Sequence, residues 1–345
     1  MNPMIWTILL MGLSTSTIIT MSSSHWLLAW LGLELNTLSV LPIIMKPGHP
    51  RATEAATKYF LIQALAAALI LFSSIMNAWE TGQWAISNTT SPTITTTITL
   101  AIMLKLGLAP MHAWYPEVFK GSTINTALII STWQKLAPLA LLYMMYPHLP
   151  KTIMLTTGLL SALLGGWAGL NQTQTRKIMA FSSIAHMGWL IIALNLNQTL
   201  AIMTLMIYII MTTTMFMALH TTTTKTLLDM GTTWTNSPPL MALIILTLMS
   251  LGGLPPMTGF TPKWLIINEL CTVKLMTLGT LLALASLPSL YFYIRMSYLT
   301  MLTTPPNTTN AQYKWRFLTP PSQILYPMTM VSILLLPLTP MLLPT

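Results

Sequence analysis

Apolar runs of about 20 residues fill nearly the whole chain, and they constrain its fold more than any other feature. A helix that spans a bilayer needs about 20 predominantly apolar residues. Runs of this kind lie at 3–20, 26–45, 59–79, 94–115, 124–145, 152–170, 178–195, 200–219, 239–260, 274–295 and 325–343. Short breaks rich in Pro, Gly and Asn separate them. The pattern predicts an all-α polytopic membrane protein with about 11 transmembrane helices.

The charge content excludes the soluble classes of protein. The 345 residues include 15 Lys and Arg and 6 Asp and Glu, so 6% are charged, against about 25% in soluble domains. The net charge of +9 is scattered along apolar sequence, whereas a nucleic-acid footprint requires clustered basic residues. We therefore exclude a soluble enzyme and a nucleic-acid binder, and we expect lipids around the chain. The single cysteine, Cys271, excludes a disulfide framework.

The basic residues between the spans predict the orientation, because short loops rich in Lys and Arg stay on the side of synthesis. Most of them lie in loops that follow even-numbered spans, if the basic residues beside the broken fourth and ninth spans are assigned to the side of the membrane on which they would lie. They are Lys46, Arg51, Lys58, Lys120, Arg176, Lys177, Lys225, Arg295, Lys314 and Arg316. Lys151 and Lys274 lie on the other side. The N-terminus is therefore expected on the basic side and the C-terminus on the opposite side.

One internal repeat points to a transport path. Residues 107–116 match residues 253–262, with Gly, Pro, Met, an aromatic residue and Pro at identical spacing and an offset of 146 (253 − 107). Proline disrupts a helix, and a broken helix in hydrocarbon is tolerated only inside protein or beside water. Corresponding breaks in two halves indicate the path of a transporter. We predict two inverted five-helix repeats, 1–147 and 148–300, each with a discontinuous helix, and a loop with a last transmembrane helix at 301–345, all in one membrane domain.

Three charged residues lie deep within predicted spans. Glu34 is about 12 Å from one end of its span and 18 Å from the other, at ~1.5 Å per residue. Lys105 precedes the Pro110 break by a little over one turn, and Lys135 lies halfway along a helix with no break. Each charge at a helix centre costs roughly 2.5 to 3.5 kcal/mol to insert. Their positions therefore favour a functional role.

Three further residues allow two interpretations. Lys263 follows Pro262 in the second break, where an interfacial lysine and a proton donor look alike. His112, inside the first break, and His186, in the middle of a span, can be structural or can relay a proton. Aromatic residues near span ends are interpreted as interface anchors, namely Trp26, Trp79, Trp84, Tyr291, Tyr293 and Tyr298.

The sequence lacks the signatures of cofactor chemistry. It has no Gly-rich phosphate loop, no cysteine cluster for iron and sulfur and no dinucleotide fingerprint. Its 6 histidines show no convincing spacing for haem or zinc. We therefore expect no redox cofactor in this chain. What remains is one carboxylate with several amines and imidazoles beside two broken helices, and such groups exchange protons.

Several segments carry a resemblance to a known family. They are residues 1–3, 24–34, 51–60, 105–110, 132–138, 165–189 and 252–256. These closely resemble the antiporter-like membrane subunits of mitochondrial NADH:ubiquinone oxidoreductase, respiratory complex I. The resemblance runs end to end. It implies a core membrane-arm subunit of the proton-translocating enzyme in the mitochondrial inner membrane, with the N-terminus in the matrix and the C-terminus in the intermembrane space.

The resemblance also implies partners and site residues. NADH, FMN, iron–sulfur clusters and ubiquinone would bind elsewhere in the complex, and the partners would be other membrane-arm subunits, including neighbouring antiporter-like ones. Glu34 resembles the family's glutamate that pairs with Lys105, Lys135 its bridging lysine, and Lys263 the lysine of the second broken helix. The expected proton relay comprises Glu34, Lys105, Lys135, Lys263, His112 and His186.

Two other functions stay open. A stand-alone cation/proton antiporter shares the broken helices and the buried lysines, and a structural scaffold of the membrane arm shares the spans. No acidic pair suited to sodium is apparent in the spans. The buried charges argue against a scaffold, because an inert one gains nothing from their cost.

Overall fold

The fold is all-α, as predicted, in the part of the chain that the computed structural model describes, residues 3–89, 91–231, 233, 238–301 and 323–339. The chain divides into two compact units, Met1–Leu160 and Ser161–Thr345. The first contains α1 (Pro3–Ser22), α2 (Trp26–Met45), α3 (Pro50–Thr81), α4 (Pro92–Leu106), α5 (Trp114–Gly121), α6 (Ile124–Ser131) and α7 (Trp133–Met144). Helix α8 (Lys151–Gly169) runs across the boundary. The second continues with α9 (Thr175–Leu196), α10 (Gln198–Thr222), α11 (Leu227–Gly231), α12 (Pro238–Gly252), α13 (Phe260–Thr272), α14 (Met276–Thr300) and α15 (Leu325–Leu334).

Eight helical segments among the described residues are long and apolar enough to cross a membrane. They are α1, α2, α3, α6 with α7, α8, α9, α10 and α14. Shorter apolar helices, α4, α12 and α15, lie where three further spans are predicted. The chain is thus a multi-pass membrane protein, while the number of 11 spans stays a prediction. The loop with Lys314 and Arg316 lies outside the described residues, as does the end of the last predicted span.

Both predicted helix breaks are present, and both are built in the same way. Helices α4 and α12 end at Gly107 and Gly253, whose φ angles are 74° and 78°. In each cap the glycine N–H donates to the carbonyl three residues before it, and the next N–H to the carbonyl five residues before it, at 3.0–3.4 Å. This left-handed cap favours glycine. The chain resumes a helix at Trp114 and Phe260, again 146 residues apart (260 − 114).

The helix that carries Lys135 is interrupted, so the prediction of an unbroken helix is wrong. Helix α6 ends at Ser131 and α7 begins at Trp133, with Thr132 between them. The Thr132 hydroxyl donates to the Leu128 carbonyl at 2.8 Å, a bond that often bends helices. Pro138, inside α7, has no N–H for the Gln134 carbonyl, which weakens the turn after the interruption. The interruption lies three residues before Lys135.

Two of the predicted interface anchors are buried instead. Trp26 and Tyr293 are 0% and 1% exposed, whereas Trp79 is 83% exposed and Tyr291 is 59% exposed. Tyr291 and Tyr293 are two residues apart, which places them on opposite faces of α14 at 3.6 residues per turn. The anchor interpretation is therefore wrong for Trp26 and Tyr293, because the helix face and not the distance from the span end decides burial.

Candidate functional site

A small internal cavity in the first unit brings two of the predicted lysines together. Its volume is about 20 Å³, which is room for about one water molecule. Its lining includes Lys105 and Lys135, the aromatic rings of Tyr59 and Tyr115, and the amides of Asn36, Gln63 and Gln134. The cavity thus combines two amines with neutral hydrogen-bonding groups in an apolar surrounding.

Lys105 ends the first half of the broken helix. It lies in the last turn of α4, where a cation interacts favourably with the terminal carbonyls. Its residue is 6% exposed, and its Nζ atom is buried without a hydrogen-bond partner among the described residues. A buried ammonium is stable only if water or an opposite charge compensates it. Lys105 is therefore a group that can gain or lose a proton as its surroundings change.

Glu34 supplies the opposite charge. It lies on α2, and its carboxylate attracts Lys105 electrostatically. Its Oε2 atom is buried and has no hydrogen-bond partner in the described part of the chain. Glu34 and Lys105 form no salt bridge with each other among the described residues, whereas Lys58 pairs with Glu54 and Glu117. The two groups interact without an ion pair that would fix their charges.

Lys135 lies in the first turn of α7, directly after the helix interruption. It is 2% exposed. Its Nζ atom lies 5.3 Å from the centre of the Tyr115 ring, within the range of a cation–π interaction. Tyr115 belongs to α5, the helix that follows the first break. Lys135 is therefore in contact with the second half of the broken helix, while Lys105 ends its first half.

A network of uncharged groups joins the helices that carry these charges. Gln134 Nε2 donates to Asn36 Oδ1 at 2.9 Å, and the Tyr59 hydroxyl donates to Gln134 Oε1 at 3.3 Å. Gln63 Nε2 donates to the Lys105 carbonyl at 3.3 Å. The sequence interpretation missed these residues. Amides inside apolar runs are unusual in membrane helices, and that signal could have found them.

The second unit holds a similar cavity, also of about 20 Å³. Lys263 and His186 line it together, with Tyr208 and Thr204. Lys263 Nζ donates to the Gly252 carbonyl at 2.9 Å, which is the last residue of α12. A Cβ atom on Gly253 would lie 2.9 Å from Lys263 Nζ. The glycine at this break is thus needed both for its positive φ angle and for the close approach of the lysine.

His186 makes its polar contacts inside the second unit. Its Nε2 atom lies 3.3 Å from the Tyr293 hydroxyl, and either group can be the donor. Its ring lies 5.9 Å from that of Tyr208. Within the cavity His186 lies beside Tyr208 and Lys263, and it also contacts the Tyr293 hydroxyl.

The structure groups five of the six predicted relay residues by unit. Lys105 and Lys135 line the first cavity, Glu34 interacts electrostatically with Lys105, and His186 and Lys263 line the second cavity. His112 does not join them: it is half-exposed in the first break, and its Nδ1 atom lies 3.3 Å from the Pro110 carbonyl. Within the described ranges, no three His, Cys, Asp or Glu residues are placed to hold a metal ion.

The sequence also matches known families. Residues 23–288 match the model of the NADH:quinone oxidoreductase/Mrp antiporter membrane family. Residues 290–343 match that of the NADH dehydrogenase subunit 2 C-terminus. Together the two models cover nearly the whole sequence, including both cavities.

Relatives and a solved structure agree with these matches. NADH-ubiquinone oxidoreductase chain 2 of Xenopus laevis is 51% identical over 342 residues, which is 99% of each chain. That of Salmo salar is 52% identical over 343 residues, 99% of this chain and 98% of the relative. A chain of respiratory complex I from Thermus thermophilus, solved with bound aureothin, is similar in structure, with a TM-score of 0.80 at 25% identity. The superposition covers 95% of this chain and 78% of the Thermus thermophilus chain. The chain therefore belongs to the NADH:quinone oxidoreductase/Mrp antiporter family, with the C-terminal region of NADH dehydrogenase subunit 2.

Proposed function

We propose that this chain is a core membrane-arm subunit of a respiratory NADH:ubiquinone oxidoreductase and that it translocates protons. The observation that carries the proposal is the placement of buried amines beside small cavities at both helix breaks. Breaks of this kind line transport paths in membrane proteins. The relatives named NADH-ubiquinone oxidoreductase chain 2 match over almost their full length, which supports the same assignment.

In the first unit, the proposed step is a change in the interaction of Glu34 with Lys105. A nearby carboxylate stabilises an ammonium in a region of low dielectric. When redox chemistry elsewhere in the complex alters that attraction, the Lys105 proton is held less strongly. The cavity between Lys105 and Lys135 has room for about one water molecule, and this water would carry the proton onward. Lys135 is the acceptor in this step.

In the second unit, Lys263 and His186 would form the corresponding pair. The Lys263 ammonium is held by a carbonyl at the end of α12, so a small movement of this break changes its stabilisation. An imidazole changes charge near neutral pH and is suited to pass a proton between amines. We assign the relay to Glu34, Lys105, Lys135, His186 and Lys263. We give His112 no step because it lines neither cavity and its polar contact among the described residues is with the Pro110 carbonyl, not with another relay residue.

The cofactors, partners and location follow from the same proposal. NADH, FMN, iron–sulfur clusters and ubiquinone would be bound by other subunits, and neighbouring antiporter-like subunits and lipids would surround this chain. The location would be the mitochondrial inner membrane, with the N-terminus in the matrix and the C-terminus in the intermembrane space. Basic residues gathered in one pocket of the first unit support this orientation: Arg51, Lys58 and Lys120 line it, together with Glu54 and Glu117.

The substitution Glu34→Gln tests the pumping role, because it keeps the shape of the side chain and removes its charge. We expect both proton release and NADH oxidation to slow together in the assembled complex reconstituted into vesicles. Glu54→Gln is the matched control, since the Glu54 side chain is 59% exposed in the same unit. Normal rate and normal proton yield in an assembled Glu34→Gln complex would refute the assignment.

The alternative of a stand-alone cation/proton antiporter has one supporting observation, the Mrp antiporters in the matching family. It predicts proton movement driven by a sodium or potassium gradient without NADH. Vesicles that contain the isolated chain should show no such exchange if the main proposal is right. A purely structural scaffold predicts that removing the buried charges leaves pumping unchanged.

A further inference from the structure

Tyr293 bonds one of the groups that line the second cavity, and its helix packs against the segment that holds the other. It is 1% exposed, and its hydroxyl is 3.3 Å from His186 Nε2. Its helix, α14, packs against α12, whose last residue, Gly252, binds Lys263 through its carbonyl. A Cβ atom added to Gly252 would lie 3.9 Å from Tyr293 Cβ. Tyr293 is therefore close to both the imidazole and the segment that holds the amine.

The hydrogen bonds of Tyr293 are linked to the tautomer of His186. If His186 Nε2 carries a proton, it donates to the Tyr293 oxygen. If Nε2 carries no proton, the Tyr293 hydroxyl must turn and donate to it.

Comparison with neighbouring residues on α14 indicates that Tyr293 is buried for its hydroxyl as well as for its ring. Phe292 is 1% exposed, and its ring packs 4.5 Å from that of Tyr293, so a phenyl ring fills the same part of the core. Tyr291 and Tyr298 on the same helix are 59% and 66% exposed. Burying a hydroxyl is costly unless it is hydrogen-bonded. The buried phenol is therefore explained by its bond to the imidazole.

We propose that Tyr293 is a positioning residue that sets the tautomer and ring orientation of His186 beside the break that holds Lys263. The inference rests on the proposed function, because it gives His186 a part in proton transfer. When a proton arrives at or leaves Nε2, the Tyr293 hydroxyl reverses its donor role. The hydroxyl turns about its own C–O bond, so the hydrogen bond to His186 is kept in both states.

The test is Tyr293→Phe in the assembled complex in vesicles, with turnover and proton release measured across pH. We expect a roughly five- to tenfold slower coupled turnover, the scale of one lost buried hydrogen bond, and a shifted pH profile. The groups that face His186 are Tyr208 on α10, Lys263 on α13 and Tyr293 on α14. Tyr298→Phe on the same helix is the control and should change neither the rate nor the profile.

A double substitution distinguishes this role from simple packing. In a His186→Gln background, Tyr293→Phe should cause no further loss, because Tyr293 acts through the imidazole. Tyr293→Met also removes the hydroxyl, should shift the pH profile in the same direction and serves as the second variant if Tyr293→Phe does not assemble. An equal loss in both backgrounds, or an unchanged rate and pH profile for Tyr293→Phe and Tyr293→Met, would overturn the inference.

The failure of this inference and that of the proposed function give different results. If His186→Gln impairs pumping while Tyr293→Phe and Tyr293→Met behave like the parent, only the role of Tyr293 is wrong. If His186→Gln, Lys135→Met and Lys263→Met all assemble and pump normally, the proton path itself is wrong and the role of Tyr293 falls with it.

Discussion

Replacing Gly253 by alanine should open the second helix break and disturb Lys263. Gly253 has a φ angle of 78°, and the left-handed conformation costs a residue with a Cβ atom about 1 to 2 kcal/mol. The added Cβ would lie 2.9 Å from Lys263 Nζ, so the amine must leave the Gly252 carbonyl. A hydrogen bond from a charged group is worth about 1.5 to 3 kcal/mol. We therefore expect the local stability of this cap to fall by at least about 2.5 kcal/mol.

Hydrogen–deuterium exchange of the break measures this loss directly. The amides of Gly253 and Leu254 donate to the Ser250 and Met249 carbonyls, and they exchange when the cap opens. A loss of about 2.5 kcal/mol corresponds to roughly 50-fold faster exchange, at about tenfold per 1.4 kcal/mol. Proton pumping should fall in the same variant.

Two glycines serve as controls for this prediction. Gly252→Ala should be tolerated, because Gly252 lies within the helix and its added Cβ meets Tyr293 only at 3.9 Å. Gly107→Ala, at the other break, should show the backbone strain without the loss of a lysine bond, since its Cβ would meet the Tyr115 ring at 3.1 Å. Equal exchange rates for Gly253→Ala and Gly107→Ala would refute the contribution of Lys263.

Two further predictions follow from the first unit and from the orientation. The substitutions Asn36→Leu and Gln134→Leu remove a part-buried amide pair. A double-mutant cycle on thermal inactivation of the complex should give a coupling of about 1 kcal/mol, and a coupling of zero would show that the pair does not tie α2 to α7. The single cysteine, Cys271, is exposed in the last turn of α13, and an impermeant maleimide should label it from the outer face of mitoplasts. Labelling only from the matrix side would reverse the proposed orientation.

The two breaks could be predicted from the sequence because glycine and proline act through the local backbone. The structure shows which of the two residues ends each helix. Pro42 and Pro288 lie inside uninterrupted helices, whereas Gly107 and Gly253 take positive φ angles and end theirs. Proline alone weakens one hydrogen bond, but a glycine in the left-handed conformation redirects the chain.

The polar contacts and the burial around the charged residues could not be predicted in the same way. Gln134 and Asn36 are separated by 98 residues, so only the packing of α2 against α7 brings them together. The interruption beside Lys135 was missed because a threonine hydroxyl that bonds its own helix leaves no distinct pattern. Tyr291 and Tyr293 look alike by composition, and the rotation of α14 alone separates a surface ring from a buried one.

The number of protons released per NADH oxidised tests the central claim most directly, when it is measured on the assembled complex carrying Lys135→Met. Lys46→Met is the matched control, because Lys46 is exposed at the end of α2, whereas Lys135 is 2% exposed beside the first cavity. A path through Lys135 predicts that proton release and NADH oxidation both fall by about tenfold or more, the scale of a lost proton-transfer group, while Lys46→Met retains both. A fully assembled Lys135→Met complex with the parent's rate and proton yield would contradict the account.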